Sequence, residues 1–165
     1  MTSTVPTPEA LIESFPHPTL PKIDGTPTYE TLADLKTLIA ANAATIPSTR
    51  GGGTNGHLGI ILSPAVYTTV SATAWINPTN PGGVPVIPPG TTAAQTGAII
   101  RTHTEELREW REYNNVQLAL KKQLLAAIDP IYLRAIRTRH IGFANRTIRE
   151  LLTHLISEYG HITTM

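Results

Sequence analysis

The stretch TTAAQTGAIIRTHTEELREWREYNNVQLALKKQLLAAI, residues 91–128, is the core of the longest proline-free run in a chain that carries 14 prolines. Within it Leu107, Trp110, Tyr113, Leu120, Leu124 and Ile128 recur at three- and four-residue steps or their multiples, with Glu and Arg between them. That spacing puts the apolar side chains on one stripe of a helix and the charges off it, which predicts one long amphipathic helix with a bend at Asn114-Asn115. A helix of this length with an apolar stripe needs other helices to cover it, so the fold class follows from this run: a small all-α domain.

Moving outward, Asp129-Pro130 stops the run and caps the next segment, IYLRAIRTRH, in which Ile131, Ala135 and Ile136 fall on one side. The last helix has the clearest signals. Thr147 and Glu150 form an S/T-x-x-E capping box, with Asn145 as an alternative cap. Ile148, Leu151, Leu152, Leu155 and Ile156 make the apolar face, and Gly160 closes it. Toward the N-terminus, Leu32, Leu35, Ile39 and Ala43 form a second stripe, broadened by Leu38, capped by Thr28 and ended by Pro47. Ser63-Pro64 opens a short helix, with strand as the rival reading for Val66–Val70. Residues 1–28 hold six prolines and read as an extended arm with one helical turn near Glu9–Ser14, and residues 29–165 as the helical domain. Gly- and Pro-rich loops are expected near 47–58 and 77–90.

Composition narrows the chemistry. There is no cysteine, which removes disulfides, thiolate metal sites and a cysteine nucleophile. The first residues lack a basic start and an apolar run, and no segment approaches the roughly 18–20 apolar residues that cross a bilayer, so a cytoplasmic protein without membrane partners is expected. Net charge is +1, but unevenly spread: residues 1–98 hold three basic and five acidic side chains, and residues 99–165 ten and seven.

Motif by motif, the search for a reactive site comes up empty. The stretch STRGGGTNGHLGIIL, residues 48–62, has glycines bracketing four residues as in a phosphate loop. It places His57 and Leu58 where Lys and Ser/Thr are needed, and it reads as a surface turn between two packed segments with His57 at its edge. The spacings of His140, His154 and His161 match no chelating pattern, so no metal is expected. No G-x-S-x-G occurs. Glu105, Glu106, Glu109 and Glu112 interleave with Arg108 and Arg111 at helical salt-bridge spacing, which describes a solvated face. No catalytic residue, cofactor or small-molecule substrate is expected, and an enzyme is not. The remaining candidate is the basic cluster Arg134, Arg137, Arg139, Arg146 and Arg149, beside His140. It could contact phosphates, or it could be an ordinary solvated face paired to Glu150 or Asp129.

The late segments WREYNNVQLALKKQLLAAIDPIYLRAI and GFANRTIRELLTHLISEYGHIT carry a further signal. A Trp leads to an apolar helix, a short basic helix follows, and a T-x-x-x-L-x-x-x-L-x-x-x-Y-G helix closes the pattern at Trp110, Ala119, Leu124, Ile128, Tyr132, Thr147, Leu151, Leu155, Tyr159 and Gly160. This pattern resembles the Gag-like capsid segment of copia-type long-terminal-repeat retrotransposons. The pieces FPHPTLPKIDGTPTYETL and NAATIPSTRGGGTNGHLGIIL are similar to Gag-like reading frames of the same kind. Members of that family continue into a second helical lobe and a zinc knuckle that binds RNA. With no cysteine here, the knuckle's role maps to no residue, and the resemblance covers the N-terminal capsid portion.

What the resemblance implies is self-assembly into capsid-like particles, with the chain itself as partner and RNA bound weakly through the late arginines. The helix faces place the expected contact around Trp110, for which core is the rival reading, and on the last helix at Leu151, Leu155 and Tyr159. The competing expectation is a domesticated helical adaptor that binds a peptide in a groove and stays a monomer or dimer.

Overall fold

A computed structural model describes residues 5–160, and over these the protein is all-α, with one isolated bridge between Thr138 and Gly142. Helix α1 is Pro8–Ser14, α2 Tyr29–Thr45, α3 Pro64–Tyr67, α4 Ala93–Ala127 and α5 Ile148–Tyr159; 3-10 turns occur at Arg50–Gly52, Leu58–Ile60 and Pro130–Ile136.

Helix α4 organises the rest. Thr92 accepts from the Gln95 amide and Gln95 reaches back to the Thr92 amide, a capping box that starts 35 residues of helix about 52 Å long. The expected bend at Asn114-Asn115 is not a break: the helix continues through both, and Asn115 Nδ2 donates to Pro6 O at 2.9 Å. Only the second half of α4 is core. Val116, Ala119, Leu120, Leu124 and Ala127 are buried against α1, α2 and α5, whereas no residue from Ala93 to Asn115 is buried.

Helices α2 and α5 dock on that second half as their stripes require. Leu32, Leu35, Ile39 and Ala43 of α2 and Ile148, Leu151, Leu152 and Leu155 of α5 are buried in the same cluster as Leu120 and Leu124. Thr28 caps α2, and the Thr147–Glu150 capping box starts α5 as read from sequence. Two polar side chains one turn apart on α4 fix how α5 begins. Gln117 Oε1 accepts from Ile148 N at 2.9 Å, and Lys121 Nζ donates to the Phe143 and Arg146 carbonyls at 3.2 and 3.0 Å. Lys121 is 8% exposed, and its burial lowers the affinity of the amine for its proton.

The N-terminal segment differs from the extended arm expected of residues 1–28. Helix α1 packs along α4, and Leu11, Phe15 and Leu20 belong to the common core. A proline-rich backbone cannot satisfy itself, and two buried amides satisfy it instead. Asn42 Oδ1 accepts from His17 N, Asn42 Nδ2 donates to His17 O and to Gln123 Oε1, and Gln123 Nε2 donates to the His17 and Pro18 carbonyls, all at 2.9–3.1 Å. Asn42→Ala strands several of these groups inside the protein, and a loss of about 2–4 kcal/mol is expected, read as a lower urea midpoint with an unchanged slope.

The segment after α4 also corrects the reading. Pro130–Ile136 is a 3-10 helix, whose three-residue repeat aligns Leu133 with Ile136. Leu133 is therefore buried, Ile136 partly so, and Ile131 is left 60% exposed.

Candidate functional site

The glycine stretch is a turn exposed only at its tip, residues 52–54: Gly51, Gly56, Gly59 and His57, which the sequence placed at the turn's edge, are buried. Gly51, Gly52 and Gly53 take φ values of +60°, +88° and +74°, which lets the chain reverse within three residues. The reversal carries Gly51 under Tyr67, whose hydroxyl donates to Gly51 O at 2.6 Å while Ser71 Oγ donates to the same oxygen at 2.9 Å. Gly59 serves Trp75 in the same way, since a Cβ there would lie 2.1 Å from the indole. His57, Tyr67 and Trp75 then form one aromatic group, with centroids 5.9 Å (His57–Trp75) and 6.1 Å (Tyr67–Trp75) apart. The glycines thus admit aromatic rings, a packing role that composition alone does not distinguish from a loop.

His57 is 2% exposed and its Nδ1 lies 2.8 Å from Ile46 O. A carbonyl oxygen only accepts, so Nδ1 carries the hydrogen. Burial lowers the imidazole's pKa below its ordinary 6.5, outweighing that hydrogen bond. With the folded value depressed, the unfolded chain takes the proton first, so the His57 contribution is complete above about pH 6.5 and is lost as pH falls from there toward the folded value. Glu9, Glu105 and Glu150 are shifted downward from 4.5 and lose their contributions only below it; Glu112 is shifted upward, acting in the opposite sense. The melting temperature is expected to drop between pH 7.5 and 5.5, and His57→Asn, which keeps a donor near the Nδ1 position, to flatten that drop.

The five arginines of the basic cluster do not act as one surface. Arg146 donates to Ile136 O and pairs with Glu150 at 3.1 Å, and Arg149 donates to Leu62 O at 2.9 Å, so both bind the protein's own groups. Arg134, Arg137 and Arg139 are exposed, and no ion pair involves them among the described residues. A shallow groove of about 350 Å³ lies between Ile136 and α5, with Arg146, Arg149 and His154 on its walls. His161 lies outside the described residues.

The expected assembly residues also divide. Leu151 and Leu155 are 0% exposed and cannot reach another molecule, a correction to the reading from spacing. An apolar face at three- and four-residue steps looks the same whether its cover is this chain or a neighbour. Tyr159 is half-buried, edge-on to Tyr132 at 5.2 Å, and Trp110 is half-buried on the first half of α4. Sequence reasoning missed the exposed apolar surface. Of ten large apolar side chains in the open among the described residues, six fall between positions 66 and 100: Val66, Val70, Ile76, Val84, Val86 and Ile100, with Val86 at 91%. The loop over 77–90, which carries Val84 and Val86, returns beside α4, where His103 Nε2 donates to Gly82 O at 3.0 Å.

A cavity of about 250 Å³ opens where the turn after α2 meets α4, lined by residues that include His57, Pro47, Pro78, Arg108, Glu109 and Glu112. Among the described residues no three His, Asp or Glu side chains gather to hold a metal ion. No protein-family model, curated protein or solved structure matches this chain.

Proposed function

We propose that the protein is a structural subunit that assembles with copies of itself, in the manner of a Gag-like capsid domain, and that the contact runs through the first half of α4 and the loop beside it. One observation carries this reading: six of the ten exposed large apolar residues among the described residues fall in positions 66–100, ahead of and at the start of a half-helix, residues 93–115, in which no residue is buried. Exposed apolar side chains gathered in one segment of a folded domain support contact with another surface, and self-contact is the commonest form of such contact. Arg134, Arg137 and Arg139, open to solvent, supply weak phosphate contacts for RNA in this scheme.

Sedimentation of Val86→Asp and Ile100→Glu tests the reading. Both positions are exposed, so melting temperatures are expected to stay within about 0.5 kcal/mol of the parent in stability, while particle formation falls at least tenfold. Unchanged assembly in both variants would remove this surface from the account. A parent chain that is monomeric throughout would favour the adaptor alternative.

A further inference from the structure

The cavity between the turn after α2 and α4 has an imbalance of hydrogen-bonding partners that the assembly reading does not use. Its wall carries two carboxylates, Glu109 and Glu112, and one guanidinium, Arg108; Arg50 and Glu105, which do not line it, pair with Glu109 and Arg108. Glu109 is committed: Thr49 Oγ1 donates to its Oε1 at 2.8 Å and Arg50 to its Oε2 at 3.0 Å. Arg108 holds Glu105 closely and stands 3.7 Å from Glu112 Oε2, leaving Glu112 Oε1 without a partner among the described residues. Half-burial accordingly holds the Glu112 carboxyl above its usual range. The second observation comes from another element. His57 is 2% exposed and lines this cavity; its Nδ1–H is spent on Ile46 O, and its Nε2 makes no hydrogen bond among the described residues. In the neutral ring Nε2 is an acceptor.

A ligand completing this arrangement brings donors and one positive charge. A planar guanidinium seeks a carboxylate with both oxygens open, and neither Glu109 nor Glu112 offers that. An ammonium, with three donors around one atom, takes single acceptors from separate elements. We propose that the cavity binds a primary ammonium on a short aliphatic stem, with Glu112 and His57 Nε2 accepting from the nitrogen and Pro47 and Pro78 flanking the stem. The amine comes from a free polyamine or from a lysine side chain.

The test is thermal unfolding with millimolar butylamine at fixed ionic strength, with 1-butanol as the uncharged stem. Butylamine is expected to raise the melting temperature saturably, by about 3–5 °C at tenfold excess over its Kd, with no matching rise from 1-butanol. Glu112→Gln is expected to abolish the rise, and Glu106→Gln, exposed on the same helix, to preserve it. Circular dichroism confirms that both variants fold. Tighter binding of 1,4-diaminobutane than of an N-acetyl-lysine amide assigns the site to free polyamines, and the reverse order to a protein lysine. No saturable rise with any amine, or an equal rise in Glu112→Gln, overturns the proposal. Neither result depends on whether the chain assembles.

Discussion

Gly56→Ala is expected to destabilise the protein by more than about 4 kcal/mol and to lower its melting temperature by about 10 °C or more. Gly56 has φ +53°, a conformation that costs an L residue roughly 1–2 kcal/mol. The larger part is steric. A Cβ at this position would lie 2.2 Å from Ala44 O and 2.7 Å from Ile46 O, both backbone atoms where α2 ends, and neither can swing aside as a side chain would. Relief requires the His57 turn to lift from α2, breaking the His57 N to Ala43 O bond of 2.9 Å and the Nδ1 bond to Ile46 O. Gly53→Ala is the matched control. Its φ is +74°, but the nearest atom to an added Cβ is 3.6 Å away, so only the conformational cost of about 1–2 kcal/mol is expected. Equal melting temperatures for the two variants would show that the glycine stretch is the loose surface turn that its composition suggests.

Leu155→Ala carries the second large effect, a loss of about 2–5 kcal/mol, or roughly 5–15 °C in melting temperature. Helix α5 has 12 residues, too few to persist alone in water, so it depends on burying Ile148, Leu151, Leu152 and Leu155. Leu155 is 0% exposed near the end of the helix, and truncation leaves a cavity against the partners that order the last turns. A surface assembly contact would behave in the opposite way, with particle size changing and melting temperature unmoved. Calorimetry and sedimentation on one preparation separate the two outcomes.

These two positions also mark how much can be read without the structure. Helices α2, α4 and α5 were legible because each signal is local: a stripe at three or four residues, a Thr at the cap, a proline or glycine at the end. What covers a stripe is not local, and for that reason Leu151 and Leu155 read equally well as core or as interface. The docking of the proline-rich segment was hidden for the same reason. It depends on Asn42 and Gln123, which stand 25 and 106 positions from His17 and belong to no periodic pattern. The turn at residues 52–54 is legible, but the burial of Gly51 and Gly59 is not, because their partners, Tyr67 and Trp75, come later in the chain and fit only where the Cβ atoms are missing. For Pro130–Ile136 the error was one of period: a repeat of 3.6 selects Ile131 and Ala135, whereas the 3-10 repeat buries Leu133. The exposed apolar loop had a usable signal, Val84 and Val86 set among prolines and glycines with no charge nearby.

The most direct test of the assembly reading is light scattering of the purified chain over a wide concentration range, at low and high salt, with and without short RNA. Particles much larger than a dimer, growing with concentration and lost in Val86→Asp, are the expected result. A chain that stays monomeric at every concentration and salt, with RNA present or absent, would contradict it.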